Sequence, residues 1–125
     1  MNIEKFFLAL NPAKIKMGLQ RTHKLLELCG NPEKKLTIIQ VAGTNGKGSV
    51  CAMLESIFRH SGHKTGLFTS PHLYKINERI RINGIAVSNE KLNDFISLYN
   101  KNILDVDASF FEALTATALW LFNNQ

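Results

Sequence analysis

Nine residues, Val41-Ala42-Gly43-Thr44-Asn45-Gly46-Lys47-Gly48-Ser49, constrain this chain more than any other stretch. The apolar run Ile38-Ile39-Gln40-Val41 leads into them. Val50, Met53, Leu54, Ile57 and Phe58 follow at the i, i+3, i+4, i+7, i+8 spacing of an amphipathic helix. The order is strand, glycine-rich turn, helix. Glycines let the backbone turn tightly and bring its N–H groups close to a ligand. A helix starting near Lys47 aims its unpaired N–H groups and positive end back at the loop, and the lysine adds a full charge. Such an assembly is a cradle for phosphate.

The loop departs twice from the common phosphate-loop pattern G-x-x-x-x-G-K-[ST]. Val41 stands where the first glycine belongs, and Gly48 follows the lysine in place of a hydroxyl residue. In the common loop that hydroxyl holds Mg²⁺. Here the metal's hydroxyl has to come from Ser49 or from another loop.

With 125 residues the chain is one small domain or part of one. Lysine and arginine outnumber aspartate and glutamate by 15 to 10, which suits an anionic ligand. No basic stripe with interleaved aromatics points to nucleic acid. Cys29 and Cys51 stand alone, without metal-ligand spacing, at apolar helical positions, and read as buried free thiols. The amino terminus lacks a small-residue cleavage site and no apolar run approaches the length of a membrane span, so a cytoplasmic protein with no membrane partner is expected.

Ile3, Phe6, Phe7 and Leu10 predict a first helix, closed by Asn11-Pro12, and a second runs from about Leu19 to Cys29. The lysine-bearing connector Lys14 to Gly18 between them reads, on its residues, as a solvated linker. Thr65 to Thr69 predicts a strand parallel to the first, reached by a right-handed crossover, with Ser70-Pro71-His72 at its carboxyl end. Glu78 to Ile82 and Ile85 to Val87 form a hairpin about Asn83-Gly84. A helix bearing Leu92, Phe95, Ile96 and Tyr99 follows, then a linker from Asn102 to Asp107. A last helix begins with the capping box Ser109–Glu112 and carries Phe111, Leu114, Ala118, Leu121 and Phe122 on one face. Phe110 at its start is read as an exposed ring. His72 reads as a loop residue rather than a ligand, and Glu78-Arg79 as a surface ion pair.

The stretch VAGTNGKGS (41–49) closely resembles the short nucleotide loop of the Mur-ligase superfamily, and Gly48-Ser49 resembles its folate branch, the folylpolyglutamate synthases and bifunctional dihydrofolate synthases. KIKMGLQR (14–21), TSPHLYKINERIRING (69–84) and SFFEALTATALWLF (109–122) carry the same resemblance. It implies an α/β fold: a P-loop-type parallel sheet with flanking helices, the Mur-ligase central domain, incomplete in this chain. Residues 1–125 would be the N-terminal portion of the ATP-binding domain. The rest of that domain, with its acidic metal-binding strand, and a C-terminal glutamate-binding domain would lie beyond.

The resemblance further implies an ATP-dependent ligase that adds L-glutamate to dihydropteroate or to a reduced folate through an acyl phosphate. ATP and Mg²⁺ would be its cofactors. Thr44, Asn45, Gly46, Lys47, Gly48 and Ser49 would bind ATP, and Ser70 would bind the metal. Lys14, Ile15, Lys16 and Met17, together with Ser109, Phe110, Phe111 and Glu112, would flank the pterin. Glu78 and Arg79 would support the Ser70 loop. The full-length protein is expected to be a monomer; residues 1–125 alone are expected to self-associate and to form no amide bond. The residues by themselves leave open a non-catalytic or assembly-type P-loop nucleotide-binding module.

Overall fold

The structure, a computed structural model, describes residues 2–10, 18–43, 45–72 and 74–125. In chain order its elements are helices α1 (Ile3–Ala9), α2 (Gln20–Leu28) and α3 (Lys47–His60), strands β1 (Gly66–Phe68), β2 (Ile80–Ile82) and β3 (Ile85–Ala86), and helices α4 (Asn89–Val106) and α5 (Phe110–Asn123). Single 3-10 turns lie at Pro32–Lys35 and Ile76–Arg79. The chain divides into two compact units, residues 1–36 with 89–125, and residues 37–88.

The first unit is helical. Asn2 caps α1 by accepting from the Lys5 N–H at 3.0 Å. Phe7, Leu25, Leu92, Phe95, Ile96, Ile103, Leu114 and Leu121 are fully buried where α1, α2, α4 and α5 meet. Each such side chain contributes roughly 1.5–3 kcal/mol relative to exposure. Trp120 lies against Phe95 at 5.6 Å and Tyr99 at 6.0 Å. Thr117, buried among them, donates its hydroxyl to the Ala113 carbonyl at 2.8 Å.

The expected linker from Asn102 to Asp107 is helix as far as Val106. Ile103 continues the apolar stripe of Leu92, Ile96 and Tyr99 and is buried, so packing carries the helix through Asn102. Asp107, with φ 59°, then ends it. On α5 the buried face is Ala113, Leu114, Ala116, Thr117, Ala118 and Leu121, whereas Phe111 is 52% exposed. The two phenylalanines at the helix start have exchanged their expected places. Phe110 meets Phe7 edge to face at 6.3 Å, and Phe111 carries the exposed ring.

The second unit holds a three-stranded sheet of order β1-β2-β3, antiparallel throughout. Gly66 pairs with Ile82 and Phe68 with Ile80. The hairpin at Asn83-Gly84 forms as expected, both residues at positive φ (51° and 82°), the requirement of its two-residue turn. The expected parallel pairing of residues 38–41 with residues 65–69 is not seen among the described residues. Residues 37–41 form no ladder, and β1 takes its partner from the hairpin instead. A ladder needs backbones about 4.8 Å apart, and here a cleft lies between Thr37-Ile39-Val41 and Thr65-Gly66-Leu67.

Buried apolar residues of this unit are Ile76, Ile80 and Val87. The periodicity that marks α3 is real, yet its apolar stripe is uncovered: Val50, Met53, Ile57 and Phe58 are all exposed, Ile57 at 61%. Among the described residues no helix is long and apolar enough to cross a membrane.

Candidate functional site

The glycine-rich turn from Asn45 runs directly into α3. Gly46, at φ 74°, precedes the first helical residue, Lys47. An L side chain is disfavoured in that conformation. The hydrogen bond from Val50 N to Gly46 O at 3.0 Å opens the helix, which leaves the N–H groups of Lys47, Gly48 and Ser49 without a helical acceptor. Asn45 to Ser49 are all exposed. Gly48 lies at ordinary φ, and a Cβ there would meet nothing within 4 Å. Among the described residues nothing therefore requires glycine at that position. Thr44 lies outside the described residues.

The return from α3 to β1 sets where the next loop emerges. The Glu55 carboxylate accepts from Arg59 Nε at 2.9 Å and from the Thr65 hydroxyl at 2.6 Å. Its side chain is 9% exposed. Burial pushes this carboxyl up, but the hydrogen bonds from Arg59 and Thr65, with the charges of Arg59 and His60, hold it below its ordinary value. Thr65 is thus fastened opposite the middle of the helix. Lys47 lies about 12 Å back along α3 from that point, and Ser70 roughly 16 Å along the extended chain. Ser70 and Ser49 are both exposed.

Residues 69, 72, 74 and 75 are held by the 3-10 turn that precedes β2. Thr69 N donates to the Arg79 carbonyl at 2.9 Å, and Arg79 Nε donates to His72 Nδ1 at 2.7 Å. The Glu78 carboxylate accepts from the N–H groups of Tyr74 and Lys75 at 3.0 and 2.9 Å. Glu78 thus holds the loop by its side chain and Arg79 by both carbonyl and side chain.

Ser109 to Glu112 belong to the other compact unit. The capping box forms, with Glu112 N donating to Ser109 Oγ at 3.2 Å and Ser109 N to Glu112 Oε1 at 2.9 Å. Arg21 Nε and Nη2 donate to the two oxygens of the same carboxylate at 3.0 and 3.1 Å. Burial pushes Glu112 up, and the bonds from Arg21 and Ser109 more than offset it. Arg21 and Glu112 are far apart in the sequence, and no local spacing signals the pair. Lys14, Ile15, Lys16 and Met17 lie outside the described residues.

The cleft of ≈ 350 Å³ lies wholly within the second unit, under α3, and is lined on that helix by Cys51, Leu54, Glu55 and Phe58. Cys51 is half-buried, contrary to the expected burial. Cys29 is buried as expected, and burial, with the Glu33 charge as a lesser cause, pushes its thiol up to about 12. Among the described residues no three His, Cys, Asp or Glu side chains converge as a metal site.

Compared with known proteins, the chain is 38% identical to the dihydrofolate synthase/folylpolyglutamate synthase of Bacillus subtilis over 114 residues, 86% of this chain and 26% of that protein. Its fold matches the crystal structure of folylpolyglutamate synthase from Thermotoga maritima with a TM-score of 0.89 and 34% identity, covering 98% of this chain and 30% of that one. This chain is a homologue of the folylpolyglutamate and dihydrofolate synthases. A bifunctional folylpolyglutamate synthase/dihydrofolate synthase solved with Mn, AMPPNP and L-glutamate bound also matches. Its TM-score is 0.85 at 32% identity, covering 97% of this chain and 30% of that one. No family model matches. The chain spans between about an eighth and a quarter of the length of the curated synthases it resembles.

Proposed function

We propose that this chain is the N-terminal, phosphate-binding portion of an ATP-dependent ligase that joins L-glutamate to dihydropteroate or to a reduced folate in the cytoplasm. The observation that carries this reading is the exposed turn Asn45 to Ser49 opening α3, in a chain homologous to these synthases. The N–H groups of Lys47, Gly48 and Ser49 and the Lys47 ammonium face a phosphate with donors only. The helix end adds roughly half a positive charge. These groups hold the β- and γ-phosphates while the acceptor carboxylate takes the γ-phosphoryl group. The glutamate amine then displaces phosphate from the acyl phosphate to make the amide.

Mg²⁺ takes oxygen ligands and commonly keeps several waters. Exposed hydroxyls at Ser70 and Ser49, together with nucleotide oxygens, fit that chemistry. When bound, the ion neutralises charge on the phosphates. Pteridine recognition falls to Lys14–Met17 and Ser109–Glu112, with Phe111 as the stacking ring.

The parallel sheet belongs to this reading as well. Thr37, Ile39 and Val41 alternate toward the cleft as an extended strand does, and Gly66 and Leu67 of β1 line the same cleft. One further strand laid between them would pair with both and cover the apolar side of α3. Without it, residues 1–125 are expected to self-associate and to form no glutamate amide.

The test is calorimetric titration of ATP with Mg²⁺ into the chain and its Lys47→Ala variant. Loss of a charge-assisted hydrogen bond, about 1.5–3 kcal/mol, lowers affinity about tenfold or more. Equal binding by the two proteins removes the phosphate assignment.

A further inference from the structure

His72 follows the Ser70-Pro71 turn, and among the described residues its ring makes one directed contact, with Arg79 Nε donating to Nδ1 at 2.7 Å. A guanidinium keeps its protons and has no acceptor. Nδ1 therefore presents its lone pair, and the neutral ring carries its proton on Nε2. Among the described residues Nε2 has no hydrogen-bond partner. Arg79 is itself anchored, because its carbonyl accepts from Thr69 N at 2.9 Å at the start of the same loop. One residue thus holds both the loop's entry and the ring's orientation.

We infer that Arg79 is a positioning residue that fixes His72 as an Nε2–H donor, and that this N–H binds an anionic oxygen of the ligand at the end of β1. The ring's one lone pair is taken by Arg79, so His72 does not ligate a metal. A phosphate and a substrate carboxylate offer the same acceptor chemistry, and the experiment separates them. The ligand's identity, though not the tautomer, rests on the reading of the loop given above.

The test is imidazole nitrogen NMR on the 125-residue chain, which reports the tautomer of each of its four histidines. His72 is expected in the Nε2–H form. It should convert to a tautomer mixture in Arg79→Ala, and in Arg79→Gln should that protein fold better. An Nδ1–H form in the wild-type chain, or a His72 signal indifferent to both substitutions, overturns the positioning role.

Addition of ATP with Mg²⁺, and separately of dihydropteroate, then identifies the acceptor, because the Nε2 proton moves downfield with one of them. His72→Ala should weaken that ligand about tenfold, and His72→Gln, which restores a donor, should recover most of the loss. Should the Gly46 and Lys47 amides shift with ATP while Nε2–H answers neither ligand, the donor role is wrong and the phosphate site stands. Silence of His72, Gly46 and Lys47 alike removes both.

Discussion

The Thr65 hydroxyl donates to the Glu55 carboxylate at 2.6 Å, and the bond fixes the start of β1 against the middle of α3. Glu55 also takes Arg59. In the other unit Glu112 plays the corresponding part, held by Arg21 and Ser109. Both carboxyls are held below their ordinary value near 4.5 despite the upward push of burial. A lowered folded value means the unfolded chain binds the proton more readily. The stabilisation is therefore complete above about pH 5 and is lost as the pH falls below 4.5 through the folded value. Denaturant melts between about pH 7 and pH 3 should show stability falling on the acid side. Glu55→Gln and Glu112→Gln should each be less stable at neutral pH, by about 1–3 kcal/mol, and flatter in acid. A wild-type slope retained in both variants assigns the acid sensitivity elsewhere.

Arg59 links the same helix to the hairpin. A Cβ on Gly84 would lie 3.0 Å from the Arg59 Cζ and Nε, and Gly84 sits at φ 82°. Gly62 has similar backbone geometry, φ 92°, with nothing within 4 Å. Gly84→Ala should therefore cost more than Gly62→Ala, which itself costs about 1 kcal/mol for its conformation. Adding Arg59→Ala should relieve only the excess at Gly84. Equal losses at the two glycines, measured by thermal melting, would mean that Arg59 swings clear.

The two phenylalanines of α5 divide packing from recognition. Phe110 lies on Phe7, so Phe110→Ala should destabilise by about 2–4 kcal/mol. Phe111 is mostly exposed, and Phe111→Ala should leave the melting temperature within about a degree or two, since surface changes stay near 0.5 kcal/mol. If Phe111 stacks on the pteridine, the same change should weaken dihydropteroate binding about tenfold, a stacking loss of roughly 1–3 kcal/mol per ring. Binding lost with Phe110 but not Phe111 reverses the assignment.

Local signals carried much of this structure. Asn83-Gly84, the turn residues Ser70-Pro71, the Ser109–Glu112 box and the α3 periodicity act within a few residues of themselves, and each of these elements formed. The glycine-rich turn into α3 was legible because turn, glycines and helix start are contiguous. Contacts between distant residues were not. Arg21 with Glu112, Glu55 with Thr65 and Arg79 with His72 depend on how elements fold back, which spacing does not encode. The exchange of Phe110 and Phe111 is a difference of one residue, about 100° of helix rotation, settled by the presence of Phe7. The expected parallel pairing of residues 37–41 with β1 does not appear among the described residues, because composition marks a strand former while a ladder exists only where a neighbour supplies hydrogen bonds.

Gly48 puts a glycine where the common phosphate loop carries its metal hydroxyl, and two serines stand as replacements. Ser49 is in the first turn of α3, where its backbone N–H has no helical acceptor; Ser70 ends the extended run from β1 and is held in place through Thr69 and Arg79. A hydroxyl on a loop fastened at both sides is the better fixed of the two. Ser70→Ala should therefore raise the Mg²⁺ concentration needed for half-maximal ATP binding several-fold, and Ser49→Ala should change it little. The shift should be larger with Mg²⁺ than with Ca²⁺, which accepts a looser set of oxygens. A metal titration in which Ser49→Ala is the more damaging substitution places the hydroxyl in the helix after all.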